Sequence, residues 1–428
     1  MFKPVQFGKY YLTERIAVGG MAEIFKAKLY GVSGFEKPMV VKQILPQYAR
    51  NAEFIKMFID EAKIAVSLTH GNIIPVYELG RIDGVYFIAM EYVHGKNLGE
   101  ILESARDRRM QLSIDDAVYI AIETCKGLDY AHRRTDAQGS SLGLVHRDIS
   151  PPNVMVSMTG EVKLADFGIA KATHKLGNTE AGVVKGTYGY MSPEQLLGDV
   201  VDHRTDIFSC GILLYEMLTG RRLFGGGSEL EAMERVKEAR VQAPSTMSSR
   251  VPSALDPIVA RALAKDPADR YATANEFQLE LSRFLFSSGA GASATTLTGF
   301  INRLFPSNEA ANEPLMPEEP PPPNPAVSNR TQSYAVRDVL EEVDRQQQHQ
   351  PQRTAGAGLA SDRTMGLPAL APAEGLAPLD IESEAFDELA EDEKTNVFRR
   401  DEPQKPEVPE LRFSAPAAGR GKQPAGGL

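Results

Sequence analysis

Two short polar segments, each following an apolar run, combine residue types that suit proton transfer and metal binding. The first reads Gly-Leu-Val-His-Arg-Asp-Ile-Ser-Pro-Pro-Asn-Val-Met-Val from Gly143 and contains Asp148 and Asn153. The second reads Lys-Leu-Ala-Asp-Phe-Gly and contains Asp166. A positioned carboxylate can accept a proton from a reacting hydroxyl group, and carboxylate and amide oxygens are hard ligands that suit Mg²⁺. The two segments therefore predict a site for metal binding and proton transfer.

The order and spacing of these segments resemble the catalytic motifs of protein kinases. His-Arg-Asp is followed by an Asn five residues after the Asp, and Asp-Phe-Gly begins 18 residues after Asp148. A lone Asp-Phe-Gly is weak evidence, but the full combination is far more specific. The sequence resembles the bacterial eukaryotic-like serine/threonine protein kinases over about residues 10–285. A polar insertion at 133–142, with Gly-Gly-Met-Ala and His-Arg-Asp-Ile-Ser-Pro, is similar to kinases of myxobacteria and their relatives.

This resemblance implies a fold, a reaction and three catalytic roles. We expect an α+β, bilobal protein-kinase-like fold, with a β-rich N-lobe over about 10–92 containing one main helix and a larger α-helical C-lobe over about 93–285. The implied reaction is transfer of the γ-phosphate of ATP to serine or threonine hydroxyls of proteins. Asp148 would accept the hydroxyl proton, while Asn153 and Asp166 would bind Mg²⁺.

A glycine-containing turn is the first element that would have to position the nucleotide. Two alternating segments flank Gly19 and Gly20, a pattern that predicts a strand–turn–strand hairpin. Such a turn lets backbone N–H groups approach phosphates closely. Of the kinase pattern G-x-G-x-x-G-x-V only Gly19 matches, because Ala17, Ala22 and Ile24 replace the first Gly, the third Gly and the Val. Plain structure is the alternative interpretation of this hairpin.

A lysine and a glutamate each interrupt an apolar face. Lys42 shares one face of a predicted strand with Val40 and Ile44, and Glu61 interrupts the apolar stripe of a helix predicted over 51–68. Burying a charge is costly unless it is paired, so we expect Glu61 to have a buried cationic partner, with Lys42 as the candidate. An edge-strand lysine that reaches solvent is the alternative. By resemblance, Lys42 holds the α- and β-phosphates and its pairing with Glu61 is required for activity.

The resemblance also implies a set of residues around the adenine ring. Met90 would be the gatekeeper, the backbone from Glu91 to Val93 would form the hinge, and Met155 would form the floor. A core strand followed by a loop is the structural alternative, and both can hold together. The implied nucleotide-binding residues are Ile16, Ala17, Val18, Gly19, Ile24, Val40, Lys42, Met90, Glu91, Val93 and Met155.

Residues 169–191 form the candidate activation segment. Thr173 and Thr179 are candidate regulatory phosphorylation sites, with an ordinary loop hydroxyl as an equally weighted alternative. Arg147 is a ready partner for a phosphate on this loop. Thr187, in Gly-Thr-Tyr-Gly-Tyr-Met-Ser-Pro-Glu, resembles the substrate-binding loop of serine/threonine kinases. The resemblance also implies structural roles for Asp206, which would brace the catalytic loop, and for an ion pair between Glu194 and Arg270.

The composition changes sharply along the chain. Of its 28 prolines, 17 fall between Pro306 and Pro424, in a segment rich in Ala, Gly, Gln and Glu and poor in aromatic residues. Such a segment cannot bury enough apolar surface to offset its ordering entropy. We therefore predict a short amphipathic extension over 286–305 and a disordered Pro/Ala/Glu-rich tail over 306–428.

Charge, cysteine usage and hydropathy limit the location and the partners. The net charge of −10 argues against nucleic-acid binding. Cys125 and Cys210 match no disulfide framework and no metal spacing, as expected in a reducing cytoplasm. The most apolar run, 207–218, is too short to span a bilayer, so we expect a cytoplasmic protein without membrane insertion. The expected partners are protein substrates; a phosphothreonine-reading partner for the tail, around 391–398, and a homodimer are left open.

Three departures from the kinase pattern motivate a second hypothesis. Ala17 and Ala22 alter the glycine loop, and Ser150 stands where the family commonly has a Lys that contacts the γ-phosphate. These changes are compatible with a pseudokinase scaffold that binds nucleotide and partners without efficient transfer. The intact base and metal ligands favour an active kinase that autophosphorylates in its activation loop. A small-molecule kinase is disfavoured by the substrate loop around Thr187.

Overall fold

One antiparallel sheet and one helix form the N-lobe in the computed structural model, which describes residues 2–19, 21–30, 35–49, 51–136, 138–167, 188–289, 291–306 and 331–334. The strands of this lobe pair in the order β1-β2-β3-β4-β6-β5. The elements of the lobe are β1 (Val5–Phe7), β2 (Tyr10–Val18), β3 (Ala22–Tyr30), β4 (Glu36–Ile44), α1 (Ala52–Ser67), β5 (Val76–Ile82) and β6 (Val85–Glu91).

The period of two along β4 divides its side chains between two surroundings. Met39 and Val41 are buried in a cluster with residues of β2, β3 and β6. Ile44 instead belongs to the cluster that packs under α1, with Phe58 and Ala62. Side chains of successive β4 residues therefore point alternately toward the core formed with β2, β3 and β6 and toward α1.

The C-lobe is helical, and its centre is a helix that is buried on every side. Residues 205–218 of this helix, α5, are all buried, which agrees with the apolar run recognised in the sequence. The elements of the lobe are β7 (Gly95–Asn97), α2 (Leu98–Asp107), α3 (Ile114–His132), β8 (Val154–Ser157), β9 (Val162–Leu164), α4 (Pro193–Leu197), α5 (Arg204–Thr219), α6 (Glu229–Glu238), α7 (Pro244–Met247), α8 (Asp256–Ala262), α9 (Ala274–Ser287) and α10 (Ala294–Leu304).

Helix α10 shows where the amphipathic extension lies. Leu297, Phe300, Ile301 and Leu304 are at most 3% exposed and belong to the C-lobe core cluster. At the start of the helix the Thr296 hydroxyl donates to a carboxylate oxygen of Asp116 on α3, at 2.8 Å. The extension therefore packs on the C-lobe, which is one of the placements that its amphipathic pattern allows.

A close backbone approach fixes the first turn of α10. The carbonyl oxygen of Ala294 lies so near Gly160 that a Cβ atom on Gly160 would come within 2.0 Å of it. Gly160 also has a φ of 81°, in the left-handed region that favours glycine. Glycine is therefore required where the turn between β8 and β9 meets the extension.

A short strand lies within the segment expected to be disordered. Residues Thr331–Tyr334 form β10, which pairs antiparallel with β5 in the register Thr331↔Ile82 to Tyr334↔Leu79. The outer edge of β5 offers backbone groups that a further strand can satisfy, and this gives the physical reason for the difference. Apart from Pro306 and these four residues, the predicted tail over 306–428 lies outside the described residues. None of the described helices is long and apolar enough to cross a bilayer.

Candidate active site

Lys42 lies at the junction of the two lobes between two carboxylates. Its Nζ is 2.7 Å from Oε1 of Glu61 on α1 and 2.9 Å from Oδ1 of Asp166, which follows β9. Lys42 and Glu61 are each only 8% exposed. Burial alone would lower the pKa of Lys42, but the negative charges of Asp166 and Glu61 outweigh it and raise that pKa. Lys42 is therefore a fully charged, buried ammonium, and Glu61 has the cationic partner that its position on the apolar stripe predicted.

Asp148 and Asn153 are joined directly within the catalytic stretch, the first of the two polar segments (residues 143–156). The Asn153 side chain donates from Nδ2 to Oδ2 of Asp148 at 2.9 Å and to the Asp148 carbonyl oxygen at 2.8 Å. The amide oxygen of Asn153 remains as a hard donor atom, and Asp166 adds a carboxylate. Mg²⁺ accepts such a pair together with substrate phosphates and water. The donor set fits Mg²⁺, and in the described residues no cluster of three or more His, Cys, Asp or Glu side chains competes as a metal site.

Asp206, in the first turn of α5, holds the backbone of the catalytic stretch. Its carboxylate accepts the backbone N–H groups of His146 and Arg147, each at 2.8 Å, and the Nε2–H of His132 at 2.8 Å. Burial would raise the pKa of Asp206, but the hydrogen bonds that its carboxylate accepts from the His132 side chain and from the backbone of His146 outweigh burial and lower that pKa. Arg147 has a φ of 63°, and this contact fixes its backbone in the left-handed region. The predicted brace is present.

His146 and Phe167 form the apolar support under the site. The centroids of their rings lie 4.5 Å apart, and Phe167 is buried with Leu68, which directly follows α1. Burial lowers the pKa of His146. The backbone N–H of Asp148 donates to Nδ1 of the neutral ring, which leaves Nε2–H to donate to the Ala165 carbonyl at 3.0 Å. His146 is thus a packed positioning residue that links the two catalytic segments.

The residues predicted to contact the nucleotide lie on paired strands of the two lobes or next to them. Val40 pairs across the sheet with Met90, Ile24 pairs with Lys42, and Met155 on β8 pairs with Asn97. Strand pairing therefore brings Ile24, Val40 and Met90 near Lys42, while contact with a nucleotide stays a prediction. The residues that remain half-buried or exposed are Ile16, Ala17, Val18, Gly19, Ile24, Val40, Met90, Glu91 and Met155, whereas Val93 is buried.

Lys163 makes a polar contact next to Met155, and the sequence did not indicate this contact. Its Nζ donates to a carboxylate oxygen of Glu91 at 2.8 Å. Lys163 lies on β9, directly across from Met155 on β8. The contact ties the side chain of Glu91, at the end of β6, to the strand β9.

A buried ion pair joins two distant parts of the C-lobe. Arg270 donates from Nη1 and Nη2 to the two carboxylate oxygens of Glu194, at 2.7 and 2.8 Å, and it also donates to backbone carbonyls. Arg270 is 2% exposed. Burial would raise the pKa of Glu194, but the Arg270 guanidinium holds it below its usual value. The predicted pairing is present and forms a bidentate, charge-assisted contact.

Sequence reasoning missed two positioning residues, His132 and Gln195. Gln195 donates from Nε2 to the Arg147 carbonyl at 3.0 Å and so connects α4 to the catalytic stretch. His132 lies seven residues after Cys125 on the buried face of α3. A titratable side chain on that apolar stripe was the same kind of signal as Glu61. Gln195 gave no such signal, because its place in the capping box of the short helix α4 explains a polar residue there without any contact to the catalytic stretch.

Four of the predicted residues lie outside the described residues. They are Gly168 of the Asp-Phe-Gly segment and the threonines Thr173, Thr179 and Thr187. Arg147, the predicted partner of an activation-loop phosphate, is described and half-buried next to Asp148. The catalytic and metal-binding candidates are therefore brought together, while the regulatory and substrate-loop threonines stay predictions.

A bilobal fold with this arrangement of lysine, glutamate, aspartates and asparagine defines a protein kinase. The chain belongs to the protein kinase domain family, whose pattern matches residues 10–280, more than half of the sequence. Within that family its relatives are the bacterial eukaryotic-like kinases.

Several curated relatives share the kinase region. Tyrosine-protein kinase MasK of Myxococcus xanthus is 42% identical over 299 residues, which cover 70% of this chain and 46% of that protein. The probable serine/threonine-protein kinase SCO3848 of Streptomyces coelicolor is 39% identical, with 67% of this chain and 41% of that protein covered. Serine/threonine-protein kinase PknB of Mycobacterium tuberculosis is 36% identical, with 64% and 42% covered. The chain thus spans less than half the length of these relatives.

A solved structure shows the same fold. The kinase domain of Mycobacterium tuberculosis PknI, as a double mutant, is 26% identical to this chain and superposes with a TM-score of 0.50. The match covers 66% of this chain and 98% of that domain. The kinase fold expected from the sequence is therefore confirmed.

Proposed function

We propose that this chain transfers the γ-phosphate of ATP, with Mg²⁺, to serine or threonine hydroxyl groups of proteins. The observation that carries the proposal is the position of Lys42, which contacts Glu61 and Asp166 at once. In protein kinases the lysine–glutamate pair and this aspartate must both be in place for transfer. Burying these charges is costly unless they pair with one another, and the observed distances pair Lys42 with both carboxylates.

The parts of the site divide the work of phosphoryl transfer. Lys42 would bind the α- and β-phosphates, and Asn153 and Asp166 would hold Mg²⁺. The metal, when bound, supplies positive charge against the phosphate oxygens. Asn153 donates a hydrogen bond to the Asp148 carboxylate, and Asp148 would accept the proton of the acceptor hydroxyl. Most of the rate enhancement would come from this positioning and charge compensation.

The choice of acceptor rests on the relatives and on one sequence segment. Two of the relatives above are named serine/threonine kinases, and one is named a tyrosine kinase. The Gly-Thr-Tyr-Gly-Tyr-Met-Ser-Pro-Glu segment around Thr187 resembles serine/threonine kinases and favours the first group. We further propose autophosphorylation at Thr173 or Thr179, with the phosphate bound by Arg147.

We also propose how the activity is distributed along the chain. Transfer would reside in the kinase domain over 10–285, with the extension over 286–305 as a structural support. The docking of α10 on the C-lobe core supports that role for the extension. The remaining segment, 306–428, would serve regulation or recruitment and would not be needed for transfer.

A pseudokinase scaffold is the competing function, and Ser150 is the observation that favours it. Ser150 is 6% exposed and supplies no cation where the family commonly has a lysine. The loss of one cation removes some stabilisation of the transition state. It leaves Asp148, Asn153 and Asp166 in place, so we favour an active enzyme.

The test is transfer of labelled γ-phosphate from ATP by the purified wild type and by Asp148→Asn. The variant should lose about 10²–10⁴-fold in rate and keep its affinity for Mg²⁺-ATP, because only the base is removed. Mass spectrometry of the autophosphorylated chain would identify serine, threonine or tyrosine as the acceptor. Equal, negligible transfer by both proteins with tight Mg²⁺-ATP binding would establish the scaffold instead.

A further inference from the structure

A groove on the C-lobe, distinct from the phosphoryl-transfer site, is lined by arginines. It has a volume of about 480 Å³ and lies between the end of α2 and the loop after it, the end of α5 and the loop after it, and the segment after α7. Five guanidinium groups line it, and apolar side chains such as Leu102, Met110 and Met247 form its walls. The arginines are Arg106, Arg109, Arg221, Arg222 and Arg250.

The positive charge of this groove is only partly compensated, since Glu216 is the one carboxylate that interacts electrostatically with Arg106 and Arg222 from within the lining. Among the described residues, no carboxylate lies within ion-pair distance of any of the five guanidinium groups, although the chain as a whole carries a net charge of −10. Glu216 is the single acidic residue of the lining, and it is 6% exposed. Its two oxygens already accept the Tyr190 hydroxyl at 2.7 Å and the Leu223 backbone N–H at 3.0 Å.

Each arginine taken singly has an ordinary explanation. Arg106, for example, lies in the last turn of α2, where a cation suits the helix dipole. Convergence of five such groups in one concave surface is different, because like charges that share a groove repel one another. Arginine beside apolar wall residues also matches the composition of protein-binding surfaces. The groove is therefore suited to an anionic peptide rather than to solvent alone.

Two residues of the groove contact the segment that would receive the protein substrate. Tyr190 lies three residues after Thr187, in a short 3₁₀ turn over Tyr188–Tyr190. The Arg222 guanidinium lies 5.6 Å from the centroid of the Tyr190 ring, and the Tyr190 hydroxyl donates to Glu216 in the groove floor. A peptide whose acceptor residue lies on this loop would extend its neighbouring residues toward the arginines.

We propose that the arginine groove binds acidic residues that flank the acceptor hydroxyl of protein substrates. The proposal rests on the proposed kinase function and adds the substrate class. Carboxylate groups of the peptide would pair with the groove arginines while apolar side chains contact its walls. Because these arginines lie away from Lys42 and Asp148, they would govern substrate affinity rather than the rate of the bound complex.

The chain itself contains a suitable probe peptide, in a segment that lies outside the kinase motifs. Residues 386–400 read Phe-Asp-Glu-Leu-Ala-Glu-Asp-Glu-Lys-Thr-Asn-Val-Phe-Arg-Arg, with a single hydroxyl residue, Thr395, among acidic neighbours. The matched peptide has every Asp and Glu replaced by Asn and Gln. A third peptide carries the acidic block after the threonine. Comparison with the first peptide shows whether the groove binds residues before or after the acceptor threonine.

The experiment compares kcat and KM for these peptides with the full chain and with Arg106→Gln/Arg222→Gln. We expect the KM of the wild type to be on the order of tenfold lower for the acidic peptide than for the neutral peptide, because two or three exposed charge pairs contribute about that much to affinity. The double variant should lose that preference, with kcat and the neutral-peptide KM unchanged. Arg283→Gln, an exposed arginine of α9, is the matched control and should behave as wild type.

The outcomes separate the groove from the kinase function. Equal KM values for acidic and neutral peptides, or an equal loss in the Arg283→Gln control, would overturn the groove and leave the kinase intact. Absence of transfer to every peptide would count against the kinase function. In that case, fluorescence anisotropy of the labelled acidic peptide still decides the groove: binding that is weakened by the double substitution and by added salt supports it, and no binding overturns it.

Discussion

Asp206 accepts the backbone N–H groups of His146 and of Arg147 with one carboxylate, at 2.8 Å each. One side chain on the central helix of the C-lobe thus fixes the backbone immediately before Asp148. The catalytic stretch has no long regular element of its own, since only a short 3₁₀ turn and the strand β8 follow it. The position of Asp148 therefore depends on α5.

Replacement of Asp206 by Asn should make stability less dependent on acid pH. The pKa of Asp206 is lowered in the folded protein, so its contribution is present above the unfolded pKa of about 3.9 and is lost as the pH falls through the folded pKa. Asp206→Asn should therefore lower Tm at pH 7 and differ less from wild type as the pH drops below about 4. Thermal unfolding across this range measures it.

The matched control for this substitution is Asp199→Asn, an exposed acid just after α4. It should follow the wild-type Tm at every pH. A Tm difference for Asp206→Asn that stayed constant down to pH 3 would show that the carboxylate charge is not what stabilises the loop.

Lys42→Met should abolish transfer, and Glu61→Gln should weaken it. Methionine removes the ammonium that joins Glu61 and Asp166 and leaves two carboxylates facing each other in a buried site. We expect at least about a 10²-fold loss in kcat for Lys42→Met. Glu61→Gln keeps one hydrogen bond to Lys42 and should lose less. Single-turnover transfer measures both rates, and an unimpaired Lys42→Met variant would remove Lys42 from the mechanism.

The Glu194–Arg270 pair should behave as a buried ion pair. Arg270→Met leaves the Glu194 carboxylate buried without its partner, at a cost of about 3–5 kcal/mol in the free energy of unfolding. The double variant Glu194→Gln/Arg270→Met removes the stranded charge and should recover part of the loss. Urea unfolding of the single and double variants gives the coupling, and strictly additive losses would speak against a shared contact.

Helix α10 should contribute to the stability of the kinase domain. Ile301 is fully buried in the C-lobe core, so Ile301→Ala should cost about 2–5 kcal/mol in the free energy of unfolding. Asn302→Ala, at an exposed position of the same helix, is the control and should leave Tm nearly unchanged. If both variants unfold like wild type, α10 does not pack on the lobe in solution.

A truncation separates the extension from the tail. Deletion of everything after Phe305 should leave peptide phosphorylation intact, because the residues of the site and of α10 are all retained. Deletion from residue 290 onward also removes the buried face of α10 and should lower Tm. Circular dichroism and the transfer assay compare the two proteins. An inert or unfolded product of the shorter deletion would show that the tail has a structural role.

The sequence predicted those contacts in which a residue interrupts a local periodic pattern. Glu61 interrupts an apolar stripe, so its need for a buried cation could be read from the sequence, and the structure supplies Lys42 at 2.7 Å. The kinase fold followed from the order of the motifs. The role proposed for each site residue still depends on the experiments above.

Other features could not be predicted, because they join residues without a local pattern. Gln195 reaches the Arg147 carbonyl across a long stretch of sequence. The pairing of β10 with β5 uses backbone groups, which any four residues could supply. The arginine groove collects side chains from positions as far apart as Arg106 and Arg250. Only tertiary packing brings such groups together.

The backbone of the catalytic stretch has a consequence for how this enzyme tolerates mutation. Arg147 and Asp166 have φ values of 63° and 49°, a conformation that costs non-glycine residues about 1–3 kcal/mol each. Arg147→Gly would release that strain, whereas Asp166→Gly would also remove a partner of the buried Lys42 ammonium. Selection of random variants for thermal resistance alone should therefore favour glycine at position 147, at the expense of the arginine proposed to bind a phosphate on the activation segment.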